Sequence, residues 1–261
     1  MRSRAGTALL VVCALACEAP ASDPPAPDAA PFLAAAESAS VRPPPSACGP
    51  VHVVVLGSST AAGIGPADSA NAWVSRYRRH LQADPAGHRL TSLALGGYNT
   101  FRLLPSGLGG DEDRLRPDTT RNIDRALAID ADAIVINLPS NDANLGIDVA
   151  TQLANYDTIV ARAAAAGVPV WVTTTQPRDF DADRRANAFA MRDSTLARFG
   201  GRAIDFFTGL GRPDGTISAP FGAGDGVHLN DAAHAVLFAR VADARIPESV
   251  SCGVAPTAPQ G

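Results

Sequence analysis

Five short, nearly continuous apolar runs punctuate the chain: Val51 to Leu56, Leu90 to Leu95, Ala133 to Leu138, Val168 to Val172 and Ala203 to Phe206. Runs of this length, apolar on both alternating sets of positions, predict strands covered on both faces. Between them the apolar spacing changes to helical period over Trp73 to Ala83, Thr119 to Ile129, Val149 to Ala166, Asp183 to Phe199 and Asp231 to Ala242. Strand and helix patterns in alternation predict an α/β domain with a central, mainly parallel sheet and helices on both sides. Ligands of such sheets sit at the carboxyl ends of the strands. Those ends carry polar, glycine-rich clusters: Gly57-Ser58-Ser59-Thr60, Gly96-Gly97-Tyr98-Asn99-Thr100 and Pro139-Ser140-Asn141-Asp142, with Asp225-Gly226-Val227-His228 ahead of the last helix.

The 261 residues suffice for one well-cored domain with short extensions. A net charge of -4 offers no basic surface for nucleic acid. All 22 cationic residues are arginine. The lack of lysine excludes Schiff-base chemistry, a Ser-Lys dyad and a Walker-type phosphate loop.

At the N-terminus, Arg2 and Arg4 precede an apolar stretch from Ala8 to Ala16 and then Cys17, the layout of a secretory signal over residues 1–17. The stretch is shorter than a membrane-spanning helix. Ala14-Leu15-Ala16-Cys17 is similar to a bacterial lipobox, with Ala14 where leucine is usual, so Cys17 is the expected lipidation site and plain secretion the alternative. The expectation is an envelope lipoprotein whose membrane contact is that anchor. Residues 18–47, rich in Pro, Ala and Ser, read as a tether, and 254–261 as a flexible tail. Cys48 and Cys252 bracket the expected domain, residues 48–253. In an exported chain the pair reads as a disulfide closing a large loop, worth roughly 5 kcal/mol on the chain-entropy account. Two free thiols are the alternative.

Of the five histidines, His52 lies on the first strand, His80 and His88 near the end of the first helix, and His234 inside the last helix. Only His228 occupies a glycine-bounded loop with a carboxylate, Asp225, three residues before it. That spacing lets the carboxylate orient the imidazole and stabilise its charged form, although an aspartate there can equally serve as a turn or capping residue. Ser59 follows a strand, where the backbone N–H groups of a following helix would face a developing oxyanion. Gly96-Gly97 allows close backbone approach, and Asn141 offers an amide donor. Each cluster alone is explained as a turn or a cap.

The ordered set GSS, GG, SND and DGVH resembles the SGNH hydrolases, the GDSL-like esterases and lipases. The resemblance runs from about Val51 to Ala242. It implies a three-layer α/β/α, flavodoxin-like sandwich with a five-stranded, mainly parallel sheet. It also implies Ser59 as nucleophile, with Thr60 and Gly63 in the same block, His228 as base and Asp225 as its partner. Ser59, Gly97 and Asn141 would form the oxyanion hole, with Gly96 the alternative to Gly97. Two positions depart from the family: Ser58 stands where aspartate is usual and Pro139 where glycine is usual. On this reading Ser58 is a turn residue, and the substrate is a small-molecule, lipid or acylated-carbohydrate ester cleaved without metal or cofactor. The segment Tyr98 to Pro117 would shape the substrate pocket, with Phe101, Leu103 and Leu104 lining a groove or packing as a loop core. Two competing readings are a metal-dependent phosphoesterase using Asp142, Asp225 and His228 with His52, and a non-catalytic binding module on an esterase fold.

Overall fold

The computed structural model describes residues 49–251 apart from Pro139. Cys17, Cys48 and Cys252, with the signal, tether and tail segments, lie outside the described residues. Five strands form one sheet: β1 (His52–Gly57), β2 (Arg89–Ser92), β3 (Ala133–Asn137), β4 (Val170–Thr173) and β5 (Ala203–Ile204). Their order is β2-β1-β3-β4-β5 and every neighbouring pair is parallel. This is the doubly wound order in which the chain changes direction between β1 and β3. The helices are α1 (Ser59–Ala62), α2 (Trp73–Ala83), α3 (Thr100–Leu103), α4 (Ile123–Ala128), α5 (Asn141–Asn144), α6 (Val149–Ala165), α7 (Ala182–Phe199), α8 (Asp231–Asp243) and α9 (Ile246–Ser251).

Strand alternation divides the apolar runs between two cores. Val53, Val55, Ala133, Val135 and Trp171 point to one face, where Trp73, Tyr77 and Leu81 of α2, Leu237 and Val241 of α8 and Ile246 of α9 cover them. Val54, Leu56, Ile134, Ile136 and Val172 point to the other, against Ile123 and Ala126 of α4, Tyr156 and Ile159 of α6 and Met191 of α7. All six residues of β1 and all five of β3 are buried, which is why their runs lack the polar alternation of a half-exposed strand. None of the helices among the described residues is long and apolar enough to cross a membrane.

Several element boundaries differ from the apolar pattern, and three of the differences bear on the loops at the sheet end. β2 stops at Ser92, although the Leu93 and Leu95 N–H groups still bond to Val55 and Gly57 of β1, and Leu95 itself is exposed. α4 starts at Ile123 rather than Thr119, because the Asn122 side chain caps it by accepting from the Arg125 N–H. β5 ends at Ile204, since Asp205 turns the chain by accepting from the Phe207 and Thr208 N–H groups.

Candidate active site

The loops that follow β1, β2, β3 and β4 converge with the Asp225–His228 loop at the carboxyl end of the sheet. Ser59 is the first residue of α1, directly beyond β1, and is 9% exposed. Gly57 permits the sharp exit from the strand: a Cβ there would lie 2.5 Å from the Asn137 carbonyl oxygen. Among the described residues the Ser59 N–H donates to no acceptor, as expected of the first turn of a helix.

The second loop brings Gly96 and Gly97 beside it. A Cβ on Gly96 would sit 3.9 Å from the Ser59 Cβ and 3.2 Å from Ile64 Cδ1, so this position faces the serine. Gly97 has φ +85° and supplies the bend that leads into Tyr98. Gly96 is therefore the glycine beside Ser59, and a Cβ on Gly97 would meet nothing within 4 Å.

Asn141 opens α5, and its Nδ2 donates to Ser58 Oγ (2.7 Å) and to the Tyr98 carbonyl (2.8 Å). These two bonds join the loops after β1, β2 and β3 through one amide. Ser58 is thus more than a turn residue: it is fully buried, its N–H bonds to Asn137, and its hydroxyl holds the Asn141 amide. Asp142 faces the other way, accepting from the Thr100 N–H (3.0 Å) and hydroxyl (2.6 Å), while Asn155 donates to the same hydroxyl. Burial pushes the Asp142 carboxyl up to about 6, with the Thr100 bonds acting in the opposite direction.

The histidine loop is built around Asp225. One carboxylate oxygen accepts from the Val227 (2.9 Å) and His228 (2.8 Å) N–H groups, and the other lies 2.6 Å from His228 Nδ1. The turn role and the orienting role, alternatives in the sequence, belong to the same side chain. Burial alone would raise the Asp225 carboxyl, but the bonds from His228 and Val227 hold it down at about 2, so it is an anion at neutral pH. With Nδ1 engaged, Nε2 is the nitrogen left for base chemistry. The loop is tied to the serine side by Gly65, φ +119°, where a Cβ would lie 2.2 Å from the Leu229 carbonyl oxygen and 3.1 Å from the His228 Cβ. Among the described residues no hydrogen bond joins Ser59 Oγ to His228; such contacts are commonly long without substrate and tighten in the Michaelis complex.

Gln176, absent from the sequence reading, links both halves. It is 2% exposed, its Oε1 accepts from the Thr60 hydroxyl (2.8 Å), and its Nε2 reaches the Val227 carbonyl (3.4 Å). No local motif marks it; the only signal was its position just past an apolar strand. The remaining histidines have other partners. His52 sits at the opposite end of β1, bonded to Thr91 Oγ1 (2.8 Å) and the Asp130 carbonyl (3.1 Å). The ligand set imagined for a phosphoesterase is therefore split between two ends of the sheet, with Asp142 turned into Thr100. Leu103 and Leu104 are buried in the core beside Ile123, which makes them loop packing rather than groove lining. A polar cavity of about 400 Å³, lined in part by Asp179, Arg212, Asp214 and Gly226, includes neither Ser59 nor His228.

The parallel doubly wound sheet gathers these loops at its β1/β3 crevice, the place where such sheets take ligands. The GDSL-like Lipase/Acylhydrolase family matches residues 55–236, and the chain belongs to that family. Curated proteins yielded no match. Solved structures share the fold. A member of the lipolytic protein G-D-S-L family from Veillonella parvula DSM 2008 aligns with TM-score 0.55 at 15% identity, over 74% of this chain and 97% of its own. The psychrotrophic esterase EstA from Pseudoalteromonas sp., in a structure inhibited by monoethylphosphonate, gives 0.54 at 15%, over 75% and 96%. The acetyl-xylooligosaccharide esterase Axe2 from Geobacillus Stearmophilus, as a mutant, gives 0.52 at 14%, over 76% and 95%.

Proposed function

We propose that the protein is a serine hydrolase of carboxylic esters, with Ser59 as nucleophile, His228 as general base and Asp225 as the orienting carboxylate. The observation that carries this reading is the His228–Asp225 pair at 2.6 Å in a loop packed, through Gly65, against the segment that follows Ser59. Ser59 Oγ attacks the ester carbonyl as His228 Nε2 takes its proton. The collapsing tetrahedral intermediate releases the alcohol, which receives that proton, and water then cleaves the acyl-enzyme by the same steps in reverse roles. The oxyanion is received by the Ser59 N–H and the Gly97 or Gly96 N–H, and by Asn141 Nδ2 once it gives up its bond to Ser58 Oγ, because in the free protein both of its protons are engaged by Ser58 and the Tyr98 carbonyl.

The preference for short acyl groups rests on there being no extended apolar lid among the described residues. Ile64, Leu95 and Leu145 are exposed large hydrophobics on the loops beside Ser59, Gly96 and Asn141, whereas Leu103 and Leu104 are consumed by the core. An exported, lipid-anchored protein closed by a Cys48–Cys252 disulfide completes the proposal, supported by the N-terminal sequence pattern. Hydrolysis of p-nitrophenyl acetate, butyrate and octanoate by the full chain, beside Ser59→Ala, tests the reading. Activity confined to the parent protein and falling with chain length is the expected result; full activity in Ser59→Ala would overturn it. Labelling by a serine-reactive phosphonate separates the enzyme from a binding module, and loss of activity with a chelator would favour the phosphoesterase.

A further inference from the structure

Arg178 stands on the rim of the same site with its charge unmatched. It lies in the extended stretch that continues β4, five residues beyond Thr173, with Gln176 buried just before it. Its guanidinium carbon is 4.4 Å from the centre of the Phe180 ring, which fixes the plane of the group. Nη1 is 3.3 Å from Ser140 Oγ and Nη2 is 3.4 Å from Asn144 Oδ1. Both contacts are long and both acceptors are neutral, so much of the five-donor fork is unspent.

Its surroundings put it beside the chemistry. Ser140 immediately precedes Asn141, and the residue after Arg178 donates its N–H to the Gly226 carbonyl at 2.9 Å, next to Asp225. Arg178 therefore spans the rim between the oxyanion-side amide and the triad loop. Among the described residues Arg178 has no carboxylate oxygen within 4 Å; other arginines also lack an ion pair, and what sets Arg178 apart is its place between Ser140, Asn144 and the Asp225–His228 loop. The nearby carboxylates are occupied, Asp225 by His228 and Val227, and Asp179 by the Ile217 N–H. Half-burial draws the Arg178 pKa below its usual value, Arg184 adds to this, and only the field of Asp225 opposes it. A half-buried cation whose nearest carboxylate, Asp225, is already bonded to His228 and Val227 is incompletely compensated, and an arriving anion would relieve that cost.

We propose that Arg178 is an anion subsite: the ester cleaved here carries a carboxylate or similar oxyanionic group close to the scissile bond, and the guanidinium receives it. This rests on the ester-hydrolase reading of Ser59 and His228, and it names the substrate class for that site. The subsite is a specificity determinant and takes no part in proton transfer.

The test compares isosteric esters that differ only in charge. One pair carries the group on the alcohol, para-acetoxybenzoate against para-acetoxybenzamide. The other carries it on the acyl chain, the mono-p-nitrophenyl ester of adipic acid against its terminal amide. The full-length protein should prefer the anionic member of one pair by about tenfold in kcat/KM, the size of effect expected of a charge-assisted bond, and that pair identifies the side of the ester that faces Arg178. In Arg178→Gln the ratio should fall to about one, and Arg178→Lys should restore part of it. Because each ratio is measured within one preparation, a partly unfolded variant does not distort it. Lack of preference in both pairs, or a preference that survives in Arg178→Gln, would overturn the subsite while leaving Ser59-dependent hydrolysis of the neutral esters intact. Failure to cleave any of the four esters, in protein that melts cooperatively, would overturn the hydrolase reading and the subsite with it.

Discussion

Replacing His234 by asparagine should flatten the acid side of the stability profile. His234 lies in α8, fully buried, and its Nδ1 accepts from the Trp73 N–H at the start of α2 (3.0 Å). The neutral ring must then carry its proton on Nε2, which is buried without a partner. A second proton on Nδ1 would set donor against donor at Trp73. Burial lowers the His234 pKa from 6.5 to about 4; the charge of Asp231 opposes it, and Arg76 and His228 add smaller downward contributions. Because the folded-state value is depressed, the unfolded chain takes up a proton first as the pH drops. The stability contribution is complete above pH 6.5 and is lost as pH falls through about 4. Linkage gives a loss of about 2.5 kcal/mol between pH 7.5 and 4.5 from this one group. Urea unfolding at both pH values measures it. His234→Asn keeps an acceptor for Trp73 but cannot titrate; its cavity lowers stability equally at both pH values, so its pH-dependent loss should be smaller by about 2.5 kcal/mol. If parent and variant lost the same stability to within about 0.5 kcal/mol, the buried neutral histidine would not be the source of acid sensitivity.

Other perturbations read the site itself. Asn141→Ala should lower kcat about a hundredfold to a thousandfold with KM little changed, and Ser58→Ala should lower it by less, since it frees the amide without removing it. Steady-state kinetics on p-nitrophenyl acetate decide this, and a larger loss from Ser58→Ala would reverse the assignment. Gln176→Leu strands the buried Thr60 hydroxyl and should cost roughly 1–3 kcal/mol by urea unfolding, together with a fall in kcat at steady KM. Lost stability with an unchanged kcat would make Gln176 a packing residue only. Gly65→Ala would drive a Cβ into the Leu229 carbonyl at a φ of +119°, so it should lower thermal stability by about 2 kcal/mol or more and displace His228. A variant as stable and as active as the parent would show that this loop yields freely.

The apolar runs by themselves determined the strand and helix alternation, the two-sided burial of β1 and β3, and the order in which Ser59, Gly97, Asn141 and His228 meet the sheet end. These are local properties: strand period sets which face a residue joins, and the carboxyl end of a parallel strand follows from chain direction. The Asp225 spacing was legible for the same reason, because a three-residue separation within one loop constrains both side chains. What only the tertiary structure decided depends on contacts between residues far apart in sequence. Ser58 reaches Asn141 across 83 residues, and Thr60 reaches Gln176 across 116. His52, which the phosphoesterase reading enlisted beside Asp142, Asp225 and His228, is held instead by Thr91 and the Asp130 carbonyl at the far end of β1. Leu95, apolar and apparently the end of a strand, is exposed beside the site, while Leu103 and Leu104, which might have lined a groove, are core. Side-chain identity states what a residue can bond to; which partner is close enough depends on how five strands and their loops are brought together, and that is written in no single stretch of the chain.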